Sequence, residues 1–325
     1  MSKRILLISS QPEDGTFLAE VAQVVGAKLD VEPEPISAVE YIVTHKPLAV
    51  FIDVGNLRLL EAFEIESQKR FGLFSELALP YRFHFVSNRP LHQNREVIRS
   101  PFFGSYFERP TEHVENCAKF YGRAVLTANP ESPRELKYFL DERANSQTLT
   151  LVRSDQKQEA AEAVRQYLIQ ARIPARIANT ITNAVDELLM NAIFDAPSDI
   201  QGQPLYSSTA RNQVRELSER EQVKMSIGFD GFYLAVSVTD FFGSIDRARL
   251  LNHVSMNYRE QEYTARRGQA GAGLGLSAIF SSGGSLIYHC DAGKKTEVTL
   301  LYRTFNNFRD FKTQFSFFSA RFYHE

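Results

Sequence analysis

Short apolar runs alternate with amphipathic stretches in the first third of the chain. Runs at 4–9, 48–54, 81–87 and 104–107 predict strands, and the stretch 15–27 predicts a helix. Strands that are separated by helical segments indicate a parallel, doubly wound sheet. We therefore predict an α/β fold here, with the residues that face a ligand at the carboxyl ends of the strands.

Five polar residues mark these predicted strand ends, namely Ser9, Ser10, Asp53, Ser87 and Arg109. This arrangement resembles a response-regulator receiver domain over residues 3–125, and the resemblance implies Asp53 as the candidate phosphoacceptor. Receivers hold magnesium with an acidic pair, where this chain has Ser9 and Ser10, and they carry lysine where it has Arg109. A single carboxylate holds magnesium poorly. We therefore expect a pseudo-receiver, and we favour a protein-contact role over phosphorylation of Asp53.

A polar break separates the two halves of the chain. Residues 129–133 contain two prolines and favour a turn, and the second proline suits the first turn of a short helix over 134–143. The predicted domain organisation is a receiver-like domain at 1–125, a linker helix at 126–147, an ATPase-like domain at 148–304 and an aromatic tail at 305–325.

A helix is predicted over 175–194 from apolar residues that recur at helical spacing. Glu187 and Asn191 are four residues apart on it and therefore share one face. The Asn191 oxygen suits magnesium, and Glu187 suits a group that orients or deprotonates a nucleophile. Taken alone, such a pair is more often a solvated helix face.

Two further segments favour a functional role for this pair over a solvated helix face. Asp240 ends a strand predicted over 233–239 and precedes a turn with Gly243, where a carboxylate can accept a hydrogen bond from an exocyclic amine. A later loop carries Gly271, Gly273 and Gly275 ahead of an apolar helix, which lets a phosphate approach the backbone. The loop lacks the Lys-Ser/Thr ending of a P-loop and the βαβ surroundings of a Rossmann site.

In order along the chain, these segments resemble the ATPase superfamily of gyrase, heat-shock chaperone, histidine kinase and mismatch-repair proteins. The resemblance implies an α/β sandwich, a mixed sheet with helices on one face, that binds ATP and Mg²⁺. The residues implied for the site are Asn191 for magnesium, Asp240, Gly243 and Thr296 for the adenine side, Gly271, Gly273 and Gly275 for the phosphates, and Arg266 and Arg267 on a lid over 247–270. One departure is Phe242, which stands where the family commonly has glycine, so we expect a reshaped adenine side.

Within this superfamily the chain resembles anti-sigma-factor serine kinases, which implies a sigma factor, an antagonist or another regulator as protein partner. In that chemistry Glu187 is the candidate general base. The alternative is a nucleotide-gated interaction module without kinase activity. A histidine kinase is a weaker reading, because the nearest upstream histidine, His113, belongs to the receiver-like part and 136–147 contains none.

Composition narrows the functional classes. A net charge of −2 argues against electrostatic capture of nucleic acid or of an anionic membrane. Two distant cysteines fit a reducing, cytoplasmic setting, and no apolar run approaches the ~18 residues of a membrane span. The polar segment 198–222 interrupts the ATPase pattern, and a regulatory or partner-binding role is open for it. The aromatic tail is expected to pack on the protein's own body or across a homodimer.

Overall fold

The computed structural model of the chain describes residues 3–72, 75–111, 114–130, 135–141, 144–206, 209–211, 213–260, 279, 282–304, 306–312, 314 and 317–323. Within these ranges, no helix combines the length and the apolar character that crossing a bilayer requires. The chain forms two compact units, one of Met1–Arg134 and Phe315–Arg321 and the other of Glu135–Gln314 and Phe322–Glu325.

Parallel strands joined by helices build the first unit. Its strands are β1 (Arg4–Ile8), β2 (Lys28–Val31), β3 (Ala49–Asp53), β4 (Phe83–Ser87) and β5 (Ser105–Glu108). Its helices are α1 (Pro12–Val25), α2 (Pro35–His45), α3 (Leu57–Phe71) and α4 (Val114–Leu126). The strands pair in the order β2-β1-β3-β4-β5, all parallel, while α1 packs on α4 and α2 packs on α3. The predicted doubly wound α/β architecture is confirmed.

Local sequence explains how α1 is set against this sheet. Pro12 opens the helix, where its missing N–H costs nothing, and Gly26 ends it in the left-handed region at φ 67°. Between them Phe17, Leu18 and Val21 recur at helical spacing and are buried. The carboxyl ends of β1 and β3 therefore lie beside the first turn of α1.

The aromatic tail contributes a strand to the first unit. The strand β11 (Phe317–Tyr323) pairs antiparallel with β5, with Phe317 opposite Phe107. The Phe317 ring lies 5.2 Å from the Phe107 ring and 5.2 Å from the Phe120 ring, measured between centroids. Packing on the protein's own body, the first of the two expected arrangements, is thus what the described residues of the tail do.

A sheet with helices packed against it builds the second unit. Its strands are β6 (Asn145–Leu151), β7 (Val223–Phe229), β8 (Tyr233–Asp240), β9 (Ser285–Asp291) and β10 (Lys295–Arg303). Its helices are α5 (Gln156–Gln170), α6 (Ala175–Met190), α7 (Arg247–Glu260) and α8 (Phe308–Lys312). The strand order is β9-β10-β8-β7-β6, α5 packs on α6, and α6 packs on β8.

We predicted a mixed sheet for this unit, whereas the pairings described among its five strands are antiparallel. The reason is that β7 with β8 and β9 with β10 are hairpins, whose tight turns contain Gly231 at φ 94° and Gly293 at φ 70°. The first strand of each hairpin, β7 and β9, was not predicted from the sequence.

The predicted linker helix over 134–143 is also corrected. In the described part of that segment there is a short 3₁₀ turn, Leu136–Tyr138, followed by the buried residues Phe139 and Leu140. Leu140 packs on the sheet so closely that a Cβ on Gly228 would lie 2.7 Å from its Cδ1 atom. Packing of consecutive apolar residues on β7 and β8 replaces a solvated helix here.

Candidate functional site

A cavity of about 130 Å³ lies in the second unit between α6, β8, β10 and the start of α7. Its apolar lining comes from Leu188, Ala192, Val238, Leu250, Tyr288 and Val298, among others. Its polar lining consists of Asn191, Asp195, Asp240, Ser244, Asp246, Arg249, His253 and Thr296. A mostly apolar recess with a few converging polar groups is the usual form of a small-molecule site.

Asp240 is the buried carboxylate of this cavity, with 6% of its surface exposed. It ends β8, and its Oδ1 atom accepts hydrogen bonds from the backbone N–H groups of Phe242 at 2.9 Å and Gly243 at 3.4 Å. Burial raises the pKa of Asp240 to about 6, although these amides and Thr296 lower it. These bonds hold the carboxylate in a fixed orientation. Both amides donate to Oδ1, and neither donates to Oδ2.

Thr296 lies directly opposite Asp240 in the antiparallel register of β10 and β8. It is 1% exposed, and its Oγ1 atom has no hydrogen-bond partner within the described residues. Thr296 contributes to lowering the pKa of Asp240, so its side chain lies next to that carboxyl. A buried polar atom without a partner costs free energy, so this end of the cavity suits a ligand that brings polar groups.

Asn191 lines the cavity at the point where α6 changes its winding. The helix ends at Met190 and continues as one π turn over Asn191–Asp195, closed by the bond from Ala196 N–H to Asn191 O at 2.8 Å. Single π turns often occur at functional sites. Asp195, at the end of this turn, also lines the cavity, whereas Glu187, one turn before Asn191, does not.

Gly243 has a structural role next to the site. Its φ is 59°, and a Cβ atom there would lie 2.1 Å from the carbonyl oxygen of Asp291 in the β9–β10 hairpin. Only glycine fits this approach, which secures the turn that supplies the amide donors to Asp240. Phe242 is buried and is not among the residues that line the cavity, and the expected reshaping of an adenine side by this residue stays a prediction.

The segment 198–222 is anchored beneath the π turn. Arg215 donates to the carbonyl oxygen of Ile193 at 2.9 Å and pairs with Glu221 at 2.7 Å, with both side chains of the pair about nine-tenths buried. The Arg215 guanidinium also lies 3.6 Å from the centre of the Tyr206 ring. Arg211, from the same segment, pairs with Asp195. This segment therefore supports one wall of the cavity.

Five residues predicted for the phosphate side lie outside the described part of the chain. They are Gly271, Gly273, Gly275, Arg266 and Arg267. Of the other predicted residues in this domain, Asn191, Asp240 and Thr296 meet at the cavity, and Gly243 supports it.

A second cluster lies at the carboxyl ends of β1, β3, β4 and β5 in the first unit. Asp53 is 5% exposed, and its Oδ1 atom accepts the Gly55 N–H at 2.8 Å. Burial raises the pKa of Asp53, and Asp14 raises it further, while Arg109 lowers it. Ser87 accepts a hydrogen bond from Asn94 at 3.0 Å.

Asp14 in this cluster corrects the sequence analysis, which counted one carboxylate. It comes from the first turn of α1, is 2% exposed, and accepts a hydrogen bond from the Ser9 hydroxyl at 2.7 Å. Arg109 donates to its other oxygen at 2.7 Å. Asp14 could not be placed from the strand-end pattern because it reaches the cluster from a helix.

Five polar residues of the cavity lining were not predicted from the sequence, namely Asp195, Ser244, Asp246, Arg249 and His253. The signal available for Asp195 was its spacing, four residues after Asn191 and eight after Glu187, which continues one helical face. Ser244 and Arg249 follow the predicted glycine turn, but no periodic pattern singles them out.

No known protein family matches this chain, and no curated protein matches it. Among solved structures, the chain is similar to one described as "The crystal structure of SiaB-SiaC complex from Pseudomonas aeruginosa". The identity is 16%, the TM-score is 0.27, and the match covers 48% of this chain and 88% of that chain. With so low a TM-score the similarity supports no inference about this protein, and the receiver and ATPase resemblances remain predictions.

Proposed function

We propose that the second unit binds Mg-ATP, with the adenine base at Asp240. The observation that carries this proposal is a buried carboxylate at one end of a largely apolar cavity, next to the buried Thr296 hydroxyl, which has no hydrogen-bond partner in the part of the chain that the structure describes. An adenine ring offers an apolar face to such a lining, an amino group to a carboxylate, and ring nitrogens to a hydroxyl. The residues at the Asp240 end of the cavity therefore fit an adenine base.

The other residues have separate roles in this proposal. Asn191, at the π turn, would hold Mg²⁺ through its amide oxygen, together with phosphate oxygens and water. Magnesium, when bound, offsets the negative charge of the phosphates. The glycines 271, 273 and 275 and the arginines 266 and 267 remain the predicted phosphate contacts.

The role that we propose for the whole chain is signalling through a protein partner. ATP bound in the second unit would serve to phosphorylate or sequester a sigma factor, an antagonist or another regulator, under control of the receiver-like unit. In the kinase version, Glu187 takes the proton from the attacking hydroxyl of the partner.

A second candidate is a nucleotide-gated interaction module without kinase activity. The observation in its favour is that Glu187 does not line the cavity, although Asn191 does. Replacing Glu187 with glutamine separates the two versions. A kinase or ATPase would lose turnover of ATP at unchanged affinity, whereas a module would show no turnover to lose.

Calorimetric titration of the full chain with ATP in magnesium buffer at pH 7.5 tests nucleotide binding. We expect Asp240→Asn to weaken binding at least tenfold with or without magnesium, since it removes the charge that accepts the amino group. Asn191→Ala should weaken binding only when magnesium is present. The matched control is Asn183→Ala, an exposed asparagine on the same helix, which should bind as wild type. Absence of binding by wild type at millimolar ATP would refute the proposal.

A further inference from the structure

Asp195 is a second carboxylate in the cavity lining, and neither the predicted site nor the proposed roles above use it. It lies one turn after Asn191, at the end of the π turn. Its side chain is 32% exposed, in contrast to the nearly closed environment of Asp240. Asp195 therefore stands at the rim of the cavity rather than at its buried end.

The wall next to Asp195 joins the end of the cavity that contains Asp240. Ala196 follows Asp195, and its carbonyl oxygen accepts a hydrogen bond from the Ser244 hydroxyl at 2.8 Å. Ser244 comes four residues after Asp240, on the turn that ends β8. A nucleoside with its base at Asp240 and its sugar at the rim would meet Asp195 on this wall.

Two arginines face Asp195 from different elements. The Nη2 atom of Arg211 lies 3.2 Å from Oδ1 and 3.3 Å from Oδ2, and Arg249 approaches from α7. Partial burial raises the pKa of Asp195, while Arg211 and Arg249 both lower it. The two cations favour the ionised form, which accepts hydrogen bonds through both oxygens.

A purely structural role for the Arg211 pair is the competing explanation. The segment 198–222 already has a stronger anchor in Arg215, which is paired with Glu221 and bonded to the Ile193 carbonyl in a nearly buried setting. The Arg211 side chain is 45% exposed, and such a solvent-exposed ion pair contributes little to stability. The position of Arg211 is better explained by its effect on Asp195.

We propose that Asp195 is a binding residue for the ribose hydroxyls of the nucleotide, and that Arg211 is its positioning residue. Carboxylates at the edge of nucleotide sites commonly bind ribose in this way, because vicinal hydroxyls donate well to two carboxylate oxygens. The inference rests on the proposed nucleotide binding. Through Arg211, the segment 198–222 would then contribute to the preference of the site for a ribose nucleotide.

The test compares the affinities of the full chain for Mg-ATP, Mg-2′-deoxy-ATP and Mg-3′-deoxy-ATP by calorimetry. We expect wild type to prefer ATP about tenfold over at least one of the deoxy nucleotides, the usual effect of a lost hydrogen bond to a charged group. In Asp195→Ala the ratio should fall to about one. In Arg211→Ala it should fall part of the way, because Asp195 remains but is less well held.

Arg153→Ala is the matched control, since Arg153 is 46% exposed and pairs with Asp155 at 2.7 Å. It should retain the wild-type ratio. A merely structural role for Arg211 would weaken all three nucleotides equally and leave the ratio unchanged, which overturns its positioning role. If Asp195→Ala fails to fold, the Arg211→Ala ratio decides.

The possible failures are distinguishable. If wild type binds ATP and both deoxy nucleotides with equal affinity, the ribose inference is overturned, while nucleotide binding stands. The ribose inference is also overturned if Asp195→Ala still prefers ATP over the deoxy nucleotides as wild type does. If wild type binds none of the three, nucleotide binding itself fails, and the ribose inference fails with it.

Discussion

Asp53 and Asp240 each end a strand, one in each unit, and each is nearly buried with a pKa raised by burial. Their surroundings differ. Near Asp53 the protein supplies its own cation, Arg109, which binds the neighbouring Asp14 at 2.7 Å. Near Asp240 the neighbours are backbone amides, a cavity and the Thr296 hydroxyl, for which the described residues offer no hydrogen-bond partner. The first cluster is largely satisfied within the protein, while the second suits a ligand.

This contrast bears on Asp53 as a phosphoacceptor, which remains a prediction. The structure adds a second carboxylate, Asp14, to the cluster, but both oxygens of Asp14 already accept hydrogen bonds, from Ser9 and Arg109. A divalent cation would have to displace the Arg109 guanidinium to reach it. That competition favours the pseudo-receiver interpretation.

The largest expected effect on stability is at Asp240. A folded pKa of about 6 against 3.8 for the free group means that the folded state binds the proton more tightly, so the stability contributed by protonation is lost as the pH rises through 6. About two pKa units correspond to about 3 kcal/mol. We expect Asp240→Asn to raise the free energy of unfolding by about that amount at pH 7.5, as an upper figure.

Urea denaturation of the ligand-free chain at several pH values measures this gain. The difference between Asp240→Asn and wild type should shrink as the pH falls from 7 towards 4, where the wild-type carboxyl is protonated. Asp53→Asn should give a smaller gain, because Arg109 already favours the ionised form of Asp53. If Asp240→Asn is less stable than wild type at pH 7.5, burial of the ionised Asp240 carboxylate does not destabilise the folded state.

A smaller effect, of opposite sign, is expected at Arg109. Arg109→Ala leaves Asp14 buried without its cation, and we expect a loss of about 2 kcal/mol, reduced from the value of a fully buried pair because Arg109 is 16% exposed. Arg70→Ala removes an exposed pair with Glu40 and should cost under about 0.5 kcal/mol. Chemical denaturation in low and in high salt measures the loss of unfolding free energy in Arg109→Ala and in Arg70→Ala. Equal losses would mean that the first unit does not depend on its internal ion pair.

Sequence patterns predicted those parts of the fold and site that depend on local spacing. The strands that end at Asp53 and Asp240 were predicted because apolar runs of that length fit buried strands. The position of Asn191 on a helix face followed from its spacing to Glu187. These inferences need only the regular geometry of a helix or a strand.

What the sequence could not predict depends on contacts between distant residues or on irregular backbone. The π turn after Met190 has no sequence signature, although the spacing of Asp195 to Asn191 already placed both on one helical face. Asp14 joins its cluster through the packing of α1, and Arg211 reaches Asp195 from 16 residues further along the chain. The linker was wrongly predicted as helical because the burial of Phe139 and Leu140 on the sheet outweighs helix propensity.

The most direct test of the Asp240 site is its recognition of the adenine amino group. The full chain, as wild type and as Asp240→Asn, is titrated with ATP and with the triphosphate of purine riboside, which lacks that group, in magnesium buffer at pH 7.5. We predict that wild type prefers ATP at least tenfold and that Asp240→Asn removes most of this preference. Equal binding of the two nucleotides by wild type, or a preference that persists in the variant, would contradict the assignment of Asp240 to the base.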